Sequence, residues 1–201
     1  MKKLSLLLVI VFAALGVSAQ TGYIVGDKAM NIKLKDINGS VISFDDFRSA
    51  KGFIVVFTCN HCPFSVKYED RINALAGKYN KESYQVIAVN PNDSIQYPED
   101  SYTGMKKRAK DKGFVFPYLL DDTQVVAKTY GATKTPHVFL LQKEGNDYIV
   151  KYIGAIDDNT DNAAAVKVNY VDQAINELDA GKPVSVPTTK AIGCGIKWKK
   201  A

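Results

Sequence analysis

Cysteine, histidine and tryptophan are scarce in this chain of 201 residues, numbering three, two and one. With only His61 and His137 available, a metal reading is limited to two thiolates and one or two imidazoles. No apolar stretch reaches the ~20 residues that span a bilayer; the longest, residues 4–15, stops short of it. Charge of one sign never accumulates either. The 26 Lys and Arg and 21 Asp and Glu are interspersed, which excludes a nucleic-acid-binding stripe. All three arginines, Arg48, Arg71 and Arg108, lie in the first 108 residues. Internal repeats and low-complexity segments are lacking.

What is present begins with a leader pattern. Lys2 and Lys3 precede the apolar stretch, and Val17-Ser18-Ala19 closes it with small residues. This reads as a secretory signal cut after Ala19, leaving a single domain over residues 20–201 with a tail from about residue 183. The expected location is periplasmic or secreted, with no membrane span after cleavage. In an exported protein three cysteines carry weight, because disulfides persist outside the cytosol. The count is odd: if Cys59 and Cys62 pair, Cys194 is left over. The basic end, Lys197, Lys199 and Lys200 around Trp198, reads as a solvated tail.

Two alternating stretches around Asn38-Gly39 predict a β-hairpin within residues 31–44. Residues 53–57 are apolar throughout, as in a strand covered on both faces. Phe64, Tyr68, Ile72, Leu75, Ala76 and Tyr79 then recur at helical spacing behind Pro63, and a second apolar run, residues 86–89, completes a β-α-β unit. Residues 90–98 have loop composition. Helices are expected over about residues 103–112, 123–130 and 163–178, and strands over 138–141 and 148–153 around a hairpin turn. The order implies a three-layer α/β domain with a mixed central sheet, helices on both faces and an N-terminal β-hairpin extension. Asp157 to Asp161 invites a calcium reading. Asn162 and Val168 stand where such a loop needs Gly and Glu, so the segment is read as capping the last helix.

The chemistry concentrates at Cys59-Asn60-His61-Cys62, at the junction of the first buried strand and first long helix. Free N–H groups and the helix dipole there favour a thiolate, the nucleophile of disulfide exchange. On this reading Cys59 attacks, Cys62 resolves the mixed disulfide, and a protonated His61 lowers the Cys59 pKa further. A structural bridge is the alternative, though so short a loop removes little entropy from the unfolded chain. Thr135-Pro136, just before a strand, can hold a cis bond.

With "FTCNHCPF", "NPND", "YPEDS", "FPYLLDDTQ", "YGATKTPHVFLL", "YIGAIDDN" and "GCGIKW" in place, the sequence resembles the thioredoxin-like superfamily over about residues 28–199. Within it the chain is similar to the peroxiredoxin-like or redoxin branch, related to alkyl hydroperoxide reductase and thiol-specific antioxidant proteins. The resemblance implies Cys59 as attacking thiol, Cys62 as resolving thiol, Pro136 as cis proline, and the Thr135 backbone as the edge that pairs with a partner protein. It implies a redox-active disulfide and no further cofactor, with protein thiols or disulfides of the exported compartment as partners. Thr58 replaces the tryptophan that precedes the first cysteine in thioredoxins, Phe53 stands where they carry a buried Asp, and Lys134 where many relatives of the branch have cysteine.

Two other functions compete. A peroxidase needs Pro and Thr seven and three residues before its cysteine, but Gly52 and Val56 precede Cys59 so, and Val55 and Cys59 precede Cys62. A Cu(I) or Zn(II) carrier would use Cys59, Cys62 and His137, yet copper-delivery proteins of this fold resemble C-x-x-x-C, one residue longer. For Cys194, between two glycines, exchange with the Cys59–Cys62 disulfide or with a second molecule stands beside an unreactive thiol.

Overall fold

The computed structural model describes residues 22–80 and 83–200. The leader pattern lies outside these residues. Among the described residues nine strands and four α-helices follow in the order β1 (Lys33–Asp36), β2 (Val41–Ser43), β3 (Gly52–Phe57), α1 (Pro63–Tyr79), β4 (Tyr84–Asn90), α2 (Tyr102–Lys112), β5 (Tyr118–Leu120), α3 (Val125–Tyr130), β6 (Lys134–Thr135), β7 (His137–Glu144), β8 (Asp147–Gly154), α4 (Tyr170–Asp179) and β9 (Cys194–Gly195). Seven strands form one sheet in the order β2-β1-β5-β4-β3-β7-β8, and β6 and β9 form a separate two-stranded ladder. The β3–β4 and β4–β5 pairs are parallel, the others antiparallel. The N-terminal hairpin extends the sheet by docking β1 on β5.

Alternation divides the central strands between two cores. Ile54, Val56, Val86, Ala88, Val138 and Leu140 face α1, α2 and α4; Phe53, Val55, Phe57, Ile87, Val89, Phe139 and Leu141 face α3 and the segment around Phe44. Helices therefore cover both faces of a mixed sheet, as expected. Each buried Phe, Ile or Leu contributes roughly 1.5–3 kcal/mol of transfer free energy. Pro63 opens α1, and the apolar stripe read from the sequence is the stripe it buries: Tyr68, Ile72, Leu75, Ala76 and Tyr79.

Segment 116–122, to which the sequence reading gave no element, contributes a strand, β5, too short at three residues to show alternation. Three expectations need correction. The last helix begins at Tyr170 rather than near residue 163, with a single 3-10 turn over Ala163–Ala165 before it. Asp158 accepts from Lys167 N–H and donates its own N–H to the Val168 carbonyl, which holds residues 166–169 extended. Asp157 accordingly caps no helix; it is buried and accepts from Tyr68 Oη and Arg71 Nη1. Nor is the basic end a solvated tail. Ile196 is buried, Lys197 N–H donates to Asn92 Oδ1, and Lys199 N–H donates to Gln124 Oε1.

Candidate functional site

β3 ends at Phe57 and α1 begins at Pro63, so the motif forms the crossing between a buried strand and a helix N-terminus. Phe57 pairs with Val89 on one side and His137 on the other, which brings the cis Thr135-Pro136 bond opposite the cysteines. Cys59 Sγ lies 3.2 Å from Thr135 Oγ1, and Cys62 Sγ lies 3.2 Å from the Thr135 carbonyl oxygen. Both cysteines are free thiols and both are buried, at 2% and 0% exposure.

The two sulfurs ionise as a unit, so the first proton lost belongs to the pair rather than to either cysteine. Cys62, not Cys59, is the N-cap of α1. Its sulfur is pulled down to about 4 by the Cys59 thiol that hydrogen-bonds to it, against the cost of burial, and further by Cys194 and by the Ser65 backbone N–H. Cys59 is pushed up by the same shared hydrogen bond, by burial and by the Asp100 charge. The Cys62 thiol donates to the Thr135 carbonyl, whereas Cys59 Sγ lies beside two hydroxyls, Thr135 Oγ1 at 3.2 Å and Ser65 Oγ at 3.7 Å.

Beside Cys59, His61 meets a carboxylate that sequence reasoning missed. Its Nδ1 lies 2.5 Å from Asp100 Oδ2, and its ring stacks on Tyr97. Asp100 is fully buried. Oδ1 also accepts from the Asn60 N–H at 2.6 Å and Asn90 Nδ2 at 3.2 Å, and Oδ2 from Asn92 Nδ2 at 2.9 Å. Asn60 in turn donates to the Glu99 carbonyl and accepts from the buried Tyr118 hydroxyl. Both residues between the cysteines thus anchor the motif to residues 99–100. The available signal was the Asn and Asp density of residues 90–100 directly after a buried strand, which reads equally well as a solvated loop.

Cys59, His61 and Asp100 each place one ligand atom within 4.8 Å of the others. Four hydrogen bonds already occupy the Asp100 oxygens, so this set does not fit a cation without dismantling the network. His137, the other proposed ligand, is not brought to the sulfurs. It is buried against Phe139, burial pushes its pKa down to about 4, and Nδ1 accepts from the Thr133 N–H.

Cys194 is brought in from the far end of the chain. β9 pairs antiparallel with β6, with Cys194 opposite Thr135. Thr135, whose carbonyl oxygen lies 3.2 Å from Cys62 Sγ, thus also stands opposite Cys194, and Cys194 is near enough to influence the ionisation of Cys62. The Thr135 edge expected to receive a partner strand is therefore occupied by the chain's own C-terminal segment.

The arginines are held elsewhere. Arg71 pairs with Asp157 and Arg108 bidentately with Glu69; among the described residues no arginine contacts a cysteine.

Comparison with known proteins agrees with this geometry. The chain is 26% identical over 147 residues, covering 70% of it and 80% of the relative, to the thiol-disulfide oxidoreductase ResA of Bacillus thuringiensis subsp. konkukian. An uncharacterized conserved protein from Geobacillus kaustophilus superposes with a TM-score of 0.81 at 36% identity, covering 89% of this chain and 94% of that one. The peroxidoxin BcpB of Mycobacterium tuberculosis shares the fold alone, at 18% identity and a TM-score of 0.58 over 78% of this chain and 96% of that one. The sequence pattern of the AhpC/TSA family matches residues 25–152. The fold is thioredoxin-like, and the chain belongs to the AhpC/TSA family.

Proposed function

We propose that this chain is an exported thiol-disulfide oxidoreductase in which Cys59 and Cys62 cycle between dithiol and disulfide through a mixed disulfide with a partner protein. The observation that carries the reading is the meeting of both sulfurs with Thr135 at a helix N-terminus, each 3.2 Å from an oxygen of that residue. The relative named thiol-disulfide oxidoreductase supports the same activity.

The two sulfurs share one proton, so their ionisation does not assign the attacker; the resemblance gives Cys59 as the attacking sulfur and Cys62 as the resolving one, and Cys62 Sγ donates to the Thr135 carbonyl while Cys59 Sγ lies beside the Thr135 and Ser65 hydroxyls. Cys59 thiolate attacks a partner disulfide, forming a Cys59–partner bond and expelling the partner's second sulfur as thiolate. Cys62 then attacks Cys59, closing the Cys59–Cys62 disulfide and releasing the reduced partner, whose thiolate takes up the Cys62 proton. The reverse sequence oxidises a partner dithiol. No cofactor beyond the dithiol is needed.

A peroxidase reading has less support, because the developing charge of peroxide cleavage needs fixed donors, and Arg71 and Arg108 are engaged by Asp157 and Glu69. Export, cleavage after Ala19 and a single mature domain rest on the leader pattern and on the shared sheet that both cores flank. Among the described residues no helix is long and apolar enough to cross a membrane.

Trapping partners in the exported compartment tests the reading. Cys62→Ser should accumulate mixed disulfides through Cys59, and Cys59→Ser should trap few. The opposite pattern makes Cys62 the attacker, and no trapping by either variant rejects exchange altogether. The reduction potential of the pair assigns direction: about −120 mV marks an oxidant and about −270 mV a reductant.

A further inference from the structure

Cys194 stands where a partner's cysteine would stand. In strand addition, an extended peptide pairs with a free backbone edge and presents its side chains to the adjacent site. β9 does this to β6 within the chain, and the residue it presents, opposite Thr135, is a cysteine; the Thr135 carbonyl oxygen lies 3.2 Å from Cys62 Sγ, so Cys194 and Cys62 meet at the same residue.

The local sequence is shaped for that approach. A Cβ on Gly193 would lie 2.3 Å from the Thr135 carbonyl oxygen and 3.0 Å from Pro136 N, so only glycine lets the backbone pass this close to the proline loop. Downstream, Ile196 is buried and its N–H donates to the Thr133 carbonyl, while the Lys197 carbonyl accepts from Asp93 N–H and Gln124 Nε2. Upstream, Thr189 Oγ1 accepts from the Ala155 N–H and contacts Tyr152 Oη. The thiol is thus held between two anchored segments. Cys59 and Cys62 are buried, whereas Cys194 is half-buried and open to solvent on one side.

We infer that Cys194 is a third exchange thiol, through which a protein dithiol or disulfide outside communicates with the buried Cys59–Cys62 pair by way of a Cys62–Cys194 disulfide. The inference rests on the oxidoreductase reading above and adds a port of entry to it. In the oxidised protein, Cys194 thiolate attacks Cys62 Sγ; the Cys62–Cys194 bond forms, the Cys59–Cys62 bond breaks, and Cys59 leaves as thiolate. No net oxidation occurs in that step. A partner dithiol then attacks Cys194 Sγ, giving a partner–Cys194 mixed disulfide and Cys62 thiolate. The partner's second thiol closes its own disulfide and releases Cys194, so two electrons reach the protein and two protons leave the partner. Run backward, the same steps reduce a partner disulfide. The charge pattern favours this order: burial and contact with Cys62 push the Cys194 thiol up to about 11 in the reduced protein, and bonding Cys62 into a disulfide removes the Cys62 charge that contributes to that rise.

Disulfide mapping of the full chain tests this. Cys59→Ser, equilibrated in a glutathione redox buffer, quenched in acid and alkylated, should carry a Cys62–Cys194 bridge and lose both free thiols. Recovery of both thiols alkylated, under conditions that oxidise the unmodified chain, overturns the inference. Should Cys59→Ser not fold, the unmodified chain quenched from the same buffer must contain a fraction with Cys62 linked to Cys194 and Cys59 alkylated; its absence is equally fatal. Insulin serves as the protein-disulfide probe. Cys194→Ser should reduce it at least about tenfold more slowly while still forming Cys59–Cys62. An unchanged rate rejects the port but leaves the Cys59–Cys62 reading standing, whereas a chain that never forms Cys59–Cys62 and never reduces insulin rejects the underlying reading.

Discussion

Along β3, every residue of Gly52–Phe57 is buried and all but the first are large and apolar; immediately past its end, Thr58, Cys59 and Asn60 are just as buried but polar or reactive. Asn90, Asn92, Asp93, Asp100, Thr135 and His137 collect at the same end of the sheet. The body of the sheet is stabilised by non-directional burial, which tolerates reshaping. Its far end depends on directional hydrogen bonds, where removal of one partner leaves others unmatched. The chain places its reactive sulfurs at the boundary, where a buried thiol can meet fixed donors without facing bulk water.

The largest effect expected from breaking this contrast lies in the apolar body. Phe53, at 0% exposure, stacks on Phe44 with centroids 4.0 Å apart and meets Phe47 and Tyr148 edge-on. Phe53→Ala should cost about 3–5 kcal/mol in urea unfolding of the reduced protein. A loss below about 1 kcal/mol would mean that the cluster closes over the gap and that the body is not tightly packed.

At the polar end, Asp100→Ala should cost roughly 3 kcal/mol, because Asn60 N–H, Asn90 Nδ2 and Asn92 Nδ2 lose their acceptor inside the protein. The same variant should slow disulfide exchange at Cys59, since His61 loses its partner beside that sulfur. A near-neutral stability change would show that water fills the site and that the far end is open rather than closed.

The two regions differed equally in how far the sequence disclosed them. The body was legible because its signals are local: unbroken apolar runs at residues 53–57 and 138–141, and a helical stripe from Tyr68 to Tyr79. At the far end the sequence offered Cys59, Cys62 and Thr135-Pro136, whose spacing carries the chemistry. It did not disclose Asp100, which a loop turns inward, or the ladder that sets Cys194 against Thr135, because β9 is two residues long and its pairing has no periodicity to read. Nor could it settle which thiol is depressed. That depends on the hydrogen bond the two sulfurs share, which no spacing in the sequence specifies.

The electrostatics of the far end give a pH-dependent test. Cys62 is lowered in the folded, reduced protein from an ordinary value of 9.0 to about 4. A depressed group contributes its full stabilisation above its unfolded value and loses it as pH falls toward its folded value. Reduced-protein stability should therefore rise from about pH 4 toward pH 9. Above that, Cys59, pushed up on folding, opposes it, since the unfolded chain then sheds a proton that the folded one keeps. The disulfide form lacks both groups, so the difference between reduced and oxidised unfolding midpoints should change with pH over this window. Parallel curves would remove the Cys62 thiolate from the account.

The smallest and most local effect separates two glycines that flank one cysteine. A Cβ on Gly193 would run into the Thr135 backbone at 2.3 Å, whereas one on Gly195 meets nothing within 4 Å. Backbone cannot retreat as a flexible side chain can, so Gly193→Ala should cost about 1–3 kcal/mol and lift β9 from β6. Alkylation of Cys194 should then accelerate, and Cys62 should become reactive as its cover leaves. Gly195→Ala, with open space for its methyl group, should stay within about 0.5 kcal/mol and leave both alkylation rates unchanged. Equal behaviour of the two variants would mean that β9 does not lie against the proline loop in solution, and the contact that joins the end of the chain to its reactive centre would lose its structural basis.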